Sequence, residues 1–570
     1  MLGESPVRPG AGEGADSAAG ASAVPTPGDD CPEPPGRAPG SAWRDPVTWL
    51  FAALSFGAYF VISLYRLLTL TPSSYDLGIF TELVRQFSQL HAPVVDLLAP
   101  GYNLEGDHFQ VAVAVIAPFF RLFPSPATLL FFQALFAAVS VFPVVTAATA
   151  LTGRSSGRLI GFAYVFSWGL QQMIDFDFHE VALGVPLLAF SVSALVRRRP
   201  GAAILWALPL AFVKEDQGFT VAAIAGLMMA TAVFPSLLPA RAVVSEGAEG
   251  AAPPSRPAAD DYRYTSFWGG VSLLGWGLFW SIFAITVIIP HFNPLHEYRY
   301  WGGAGGPVAG RVGGQPGSVS SLLTRLDTGW PVKLTTVVML LLPTAFVALG
   351  SPVALIAVPS LVLRFVSSDT SYWGTGWHYN ATVMPVLFIA AAEAIGRWQR
   401  AASLRSAVGP PGSPSPAAPP GPLTAARALG ARSRDLVRSA RTGAARHGAA
   451  MMAAIAVALA FQFPISALWH GGTYTLDAHI AAADAAMAVV PDGATVTTTL
   501  DLLAPLSART DTYWVANAGN PVTQYVVFDG VDSGLALPTT NIPALIASWY
   551  KNDHMVQVFE QDDVYVFRRE

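Results

Sequence analysis

Long apolar runs separated by short polar stretches dominate the chain, and roughly 20 apolar residues suffice to carry a helix across the hydrocarbon core of a bilayer. The runs predict spans near 47–70, 126–150, 159–174, 180–196, 201–214, 217–234, 266–290, 331–349, 352–366, 380–396 and 449–468. Several fall short of the ideal length, and Pro186, Pro343, Pro352 and Pro385 predict kinks. The apolar stretch HFQVAVAVIAPFFRLF at 108–123 contains Pro118 and runs into Pro-Ser-Pro, so it reads as a re-entrant or interfacial segment. Beyond residue 470 the pattern changes: ATVTTT, DTYWV, QYVVF, MVQVF and VYVFR alternate with period two. Helical stretches, LDAHIAAADAAMAVV and NIPALIASWY, are interleaved with them, and the Pro-Asp-Gly at 491–493 marks a turn. The fold class expected is an α-helical polytopic membrane protein with a small C-terminal α/β domain.

Composition sharpens this. Of 570 residues 52% are hydrophobic and only 12% charged, against roughly 25% charged in ordinary soluble domains. A conventional cytosolic enzyme is excluded. The net charge of -5, with no long basic stretch on a soluble domain, argues against nucleic acid as a partner. Cys31 is the sole cysteine, so neither a disulfide framework nor a cysteine-based zinc site can form.

Residues 1–45 are rich in Gly, Ala and Pro and read as a disordered cytoplasmic tail, without the apolar core of a signal peptide. The stretches 235–265 and 399–448 share this character and read as solvated cytoplasmic loops, leaving a membrane core over 46–398, a last span over 449–469 and a domain over 470–570. Positively charged loops stay inside. Arg154, Arg158, Arg197, Arg198, Arg199 and the Arg-rich 397–446 therefore orient a multi-pass protein of the cytoplasmic membrane, with its N-terminus cytoplasmic and its C-terminal domain outside.

On this topology four polar clusters share the outer face. SSYDLGIFTE and EGDHFQ supply Asp76, Glu82, Asp107 and His108; IDFDFHE supplies Asp175, Asp177, His179 and Glu180; VKEDQGF wedges Lys214, Glu215 and Asp216 between two apolar runs. HFNPLHEYRYWGG and RFVSSDTSYWGTGWHYN form the fourth, with Arg364, Asp369, Tyr372, Trp377, His378 and Tyr379. Ionisable groups near membrane depth are costly and tend to face a functional cavity. Each also has a plainer reading: the Lys-Glu-Asp turn suits the headgroup zone, Asp76 suits the N-cap of LGIFTELVRQF, and the Trp and Tyr residues suit an interfacial belt. No two of His108, His179 and His378 make an HExxH or HxxxH pair, so a zinc hydrolase is disfavoured. If a metal binds, carboxylates with His favour a hard divalent cation, and Mg or Mn suits such a site. No phosphate-binding Gly-rich loop is present in the sequence.

YDLGIF, GDHF, FDFHE, KED and the late GWHYN, in that order, resemble a family of bacterial polytopic membrane proteins classed as a domain of unknown function, over most of 47–570. That family in turn resembles the GT-C superfamily of membrane glycosyltransferases. The resemblance implies transfer of a sugar from a polyprenyl-phosphate carrier to an envelope glycan, lipid or protein acceptor on the outer side of the membrane. Asp76 would then bind the acceptor or act as the general base. Lys214, Arg364 and His378 would meet the leaving phosphate, with His108, Trp377 and Tyr379 also binding substrate, and His179, Glu180, Glu215 and Asp216 would bind a metal or position the acceptor. The first loop lacks the paired acids of some GT-C relatives. Two other readings stand beside this one: a transporter or flippase of a lipid-linked or anionic solute, and a non-catalytic scaffold of envelope assembly.

Overall fold

The computed structural model describes residues 42–72, 74–238, 256–300, 324–367, 369–408, 424–531, 533–535 and 541–570. Among these, five helical stretches are long and apolar enough to cross a membrane: Pro46–Leu68, Pro126–Thr152, Asp260–Phe292, His378–Ser406 and Asp435–Ala460. Val181–Val196, Pro200–Phe212, Gln217–Val233, Trp330–Thr344 and Pro352–Val366 are shorter apolar helices. The expected 159–174 run is two helices, Arg154–Val165 and Trp168–Asp175. The expected re-entrant segment is a 12-residue helical stretch, Val111–Leu122, about 18 Å at 1.5 Å per residue and so too short for a bilayer crossing.

The bundle core runs through Pro126–Thr152, Val181–Val196 and the helix Val383–Val408, whose Phe388, Ile389, Ala390, Ala391 and Ala392 are fully buried. Small residues let helices approach. A Cβ at Gly218 or at Gly277 would collide with the other glycine's carbonyl, so Gln217–Val233 and Arg256–Phe283 pack backbone against backbone.

Two stretches read as loops are in part helical. Residues 256–265 open the helix Arg256–Phe283, and 424–448 form the first part of Thr424–Ala460. The Ala- and Arg-rich composition that suggested disorder is also strongly helix-forming, and Gln399 Nε2 donates to the Ala445 carbonyl at 3.0 Å, tying the two helices. The expectations for 1–41, 239–255 and 409–423 lie outside the described residues.

All five alternating segments are strands. β1 (Thr495–Thr498), β2 (Asp511–Trp514), β3 (Tyr525–Asp529), β4 (Met555–Gln561) and β5 (Val564–Arg569) form one sheet in the order β2-β1-β3-β5-β4. β2, β1 and β3 are parallel, while β5 is antiparallel to both β3 and β4. Alternation sorts the faces: Val496, Val527, Val564 and Val566 pack under the helix Ala478–Ala488, and Val526, Phe528 and Phe567 under Ile542–Trp549. Asp562 and Asp563 turn the β4–β5 hairpin with φ of 46° and 60°, the backbone a two-residue I′ turn requires.

The helix Asp76–Ser88 joins the two parts. Leu77, Phe80, Leu83 and Val84 recur at helical spacing and are buried, packed in one cluster with Leu97, Leu104 and Leu129 and with Leu503 and Ala504 of the C-terminal domain. Glu82, fully buried, accepts from the Asp96 and Leu97 amides, both at 3.1 Å, and so shapes the first loop.

Candidate active site

Three breaks in apolar structure meet at one end of the bundle. Lys214, Glu215 and Asp216 occupy the turn between Pro200–Phe212 and Gln217–Val233. His179 and Glu180 precede Val181–Val196, and His378 and Tyr379 precede Val383–Val408. Each break exchanges helical hydrogen bonds for side-chain ones. Gln133, fully buried on Pro126–Thr152, accepts from the His179 amide at 3.1 Å and donates to the carbonyls of Met173, at 3.3 Å, and Asp177. Arg364 binds the 372–380 loop through the carbonyls of Tyr372, Gly374 and Tyr379 at 2.9, 3.1 and 3.3 Å and Asn380 Oδ1 at 3.0 Å. Asp177 and Trp377 hold φ of 68° and 67°, left-handed backbone that for residues other than glycine costs about 1–3 kcal/mol and collects at functional sites.

Lys214 Nζ lies 2.9 Å from Glu180 Oε1, and the other oxygen of Glu180 meets His179 Nδ1. His179 stacks on His378 with ring centroids 3.3 Å apart. His378 is 2% exposed, and neither of its ring nitrogens has a hydrogen-bond partner. Phe80 packs edge-on against His179, and Phe176 lies against His378 and, edge-on, against the exposed Trp377.

Asp76 faces this group from the start of its own helix. It is not the N-cap: Tyr75 holds that position without a side-chain cap bond, and the Asp76 amide donates to Ser74 Oγ at 3.0 Å. Burial, then the neighbouring Glu180, push its carboxyl up to about 7, against a lowering pull from Lys214.

His108 and Glu215 form an adjoining cluster. His108 Nδ1 is 2.8 Å from Glu215 Oε1, to which the Tyr298 hydroxyl donates at 3.1 Å, while the Phe109 amide donates to Oε2 at 3.2 Å. Tyr300 stacks on His108 and donates to Asp107 Oδ1 at 3.0 Å. A cavity of about 60 Å³ separates this cluster from Arg364, with Lys214, Asp216 and Tyr372 among its lining.

The structure therefore brings Asp76, His179, Glu180, Lys214, His378 and Tyr379 into one neighbourhood and sets His108, Glu215, Asp216 and Arg364 around the next. Two expectations change. Arg364 commits four of its five N–H donors to the 372–380 loop. The four residues read as metal ligands do not converge: Glu180 is engaged by Lys214 and His179, Glu215 by His108 and Tyr298, and Asp216 accepts from Gln217 at 3.2 Å. Among the described residues no group of three or more His, Cys, Asp or Glu side chains is placed to hold a metal ion. Mg or Mn thus does not fit the residues expected to bind it.

Sequence reasoning passed over Gln133 and Arg66 as site residues. Arg66, in the last turn of Pro46–Leu68, reaches Asp175 at 3.4 Å and Asp177 at 3.5 Å. The available signals were a single Gln inside an apolar run and an Arg near the end of a span.

The family profile described as "Predicted membrane protein (DUF2079)" matches residues 66–535. The chain is similar to the crystal structure of ArnT from Cupriavidus metallidurans bound to undecaprenyl phosphate, with a TM-score of 0.47 and 16% identity over 93% of this chain and 98% of that one. It is also similar to the apo ArnT structure from the same organism, with a TM-score of 0.43 and 15% identity over 91% of this chain and 97% of that one. No protein of curated function matches.

Proposed function

The chain belongs to the DUF2079 family of membrane proteins, and we propose that it is a glycosyltransferase that moves a sugar from a polyprenyl-phosphate carrier to an acceptor hydroxyl of the cell envelope, outside the cytoplasmic membrane. One observation carries this reading: the Asp76 carboxyl, not used as a helix cap, lies within electrostatic reach of the Lys214–Glu180 pair, beside which His378 is buried with both ring nitrogens unpartnered.

Asp76 takes the proton of the acceptor hydroxyl as its oxygen attacks the anomeric carbon. The bond between that carbon and the phosphate oxygen breaks, its electron pair leaves with the polyprenyl phosphate, and the new glycosidic bond forms. A single displacement needs one base, so a second carboxylate is not required. The leaving phosphate gains negative charge, which preformed donors stabilise. Lys214 gives one N–H to Glu180 and retains two. His378 offers its N–H from the unpartnered ring. Trp377, exposed at the rim, presents a flat apolar face suited to a sugar ring. His108 and Tyr379 shape the walls, and no step requires a metal.

The test is transfer from radiolabelled polyprenyl-phosphate sugars by the purified protein, wild type against Asp76→Asn. Loss of transfer with unchanged folding supports the assignment. Equal activity in the two proteins ends it.

A further inference from the structure

A second site lies in the C-terminal domain. The chain leaves β1 toward β2 on one side and returns to β3 on the other, so the carboxyl ends of β1 and β3 flank a topological switch point. Open α/β sheets bind ligands in the crevice at such points. Here the crevice opens into a cavity of about 800 Å³ bounded on its far side by the ends of membrane helices, including Arg66 and Gln172. It shares no lining residue with the cavity beside Lys214.

Asp501, just beyond β1, and Asp529, the last residue of β3, both line it. Asp529 is fully engaged: Oδ2 is 2.7 Å from His479 Nε2 and Oδ1 accepts the Val531 amide at 2.7 Å. Asp501 is not. It is 4% exposed, neither of its carboxyl oxygens has a well-formed hydrogen bond, and burial together with the adjacent Asp529 pushes its carboxyl well above the usual range. A buried carboxyl held neutral beside a second carboxylate keeps an O–H and free lone pairs, and leaving them poorly matched is costly. A metal ion does not answer the need, because no three ligating side chains converge among the described residues. The walls around it offer amides and hydroxyls at Gln172, Gln462, Thr71 and Thr473, and charges of both signs at Arg66, Asp175 and Asp477. Carboxyl groups, amides and hydroxyls that both donate and accept, with charges of both signs among them, match a ligand that presents many hydroxyl groups and no net charge.

We propose that this cavity is a saccharide-binding subsite in which Asp501 exchanges hydrogen bonds with sugar hydroxyls beside the Asp529–His479 pair. The inference stands on this cavity and does not depend on the transfer chemistry at Asp76.

Saturation-transfer NMR on the full-length protein in detergent, titrated with glucose, galactose, mannose, N-acetylglucosamine, maltotriose and glucosamine, tests it. At least one neutral saccharide should bind saturably, at least tenfold more weakly in Asp501→Asn, and equally well in Asp76→Asn. Ala467→Trp, which fills the cavity from its other wall without touching Asp501, should abolish the same signal. Binding by no neutral saccharide, binding of glucosamine alone, or wild-type binding in both cavity variants overturns the proposal.

Discussion

His378 lies almost flat on His179, with 19° between ring planes and 3.3 Å between centroids, although the two residues are separated by 199 positions in sequence. The contact ties the entrance of one membrane helix to that of another. Glu180 holds His179 from the other side and also holds Lys214. Moving any of these groups disturbs the others, so the cluster behaves as one unit facing Asp76.

The first expected consequence concerns Asp76. Asp76→Asn should lower transfer by about 100- to 10,000-fold, the usual contribution of a positioned base. In the wild type, activity should rise with pH through about 7, because the base works only when ionised. Stability has the opposite sign. A carboxyl raised in the folded state from an ordinary value of 3.8 costs nothing below that pH, and its cost grows as pH climbs toward about 7. Thermal unfolding should thus show Asp76→Asn more stable than wild type at pH 8 and equal to it at pH 3.5. A flat difference across this range would remove the argument.

Lys214 and Glu180 are a buried pair, with side chains 10% and 0% exposed. Removing one partner strands the other, at about 3–5 kcal/mol. Lys214→Met should therefore lower the melting temperature sharply, whereas Lys214→Met with Glu180→Gln should recover most of the loss. Both should lack activity if Lys214 meets the phosphate. Active double variants would assign the pair to structure alone.

Arg364 should behave differently from a substrate ligand. Its partners are three carbonyls and Asn380 Oδ1, so Arg364→Lys removes the guanidinium fork that spans them. Limited proteolysis should then cut within 372–380 faster than in wild type, and hydrogen exchange there should quicken. Unchanged protection, with activity lost, would return Arg364 to the phosphate.

Much of this architecture was legible beforehand, for local reasons. Period-two alternation depends only on neighbours, and all five segments carrying it are strands. Apolar run length likewise marks the helices. What was not legible depends on distant packing. Thr424–Ala460 reads as either tail or helix until Gln399 meets Ala445. The roles of the charged residues could not be separated by type. Arg364 and Glu215 look as functional in sequence as Lys214, and only the fold reveals that Arg364 binds the Tyr372 carbonyl and Glu215 the Phe109 amide. Asp76 looked like a cap, and only the placement of Tyr75 frees its carboxyl.

The junction between the membrane bundle and the C-terminal domain offers the last test, because two kinds of contact compete there. Arg85 pairs with Asp511 at 2.9 Å, but the Asp511 side chain is 44% exposed, and such pairs contribute about 0–1 kcal/mol. Gly78 sits where a Cβ would lie 2.7 Å from Leu97 Cδ1 and 3.2 Å from Leu503 Cβ. Overpacking a well-packed site costs about 1–3 kcal/mol. Close approach at Gly78 should therefore matter more than the ion pair. Gly78→Ile should expose the Leu503–Ser507 helix to hydrogen exchange and speed cleavage ahead of the domain, near 470–476. Arg85→Ala should leave both close to wild type, and the reverse ranking would show that charge, not packing, holds the domain in place.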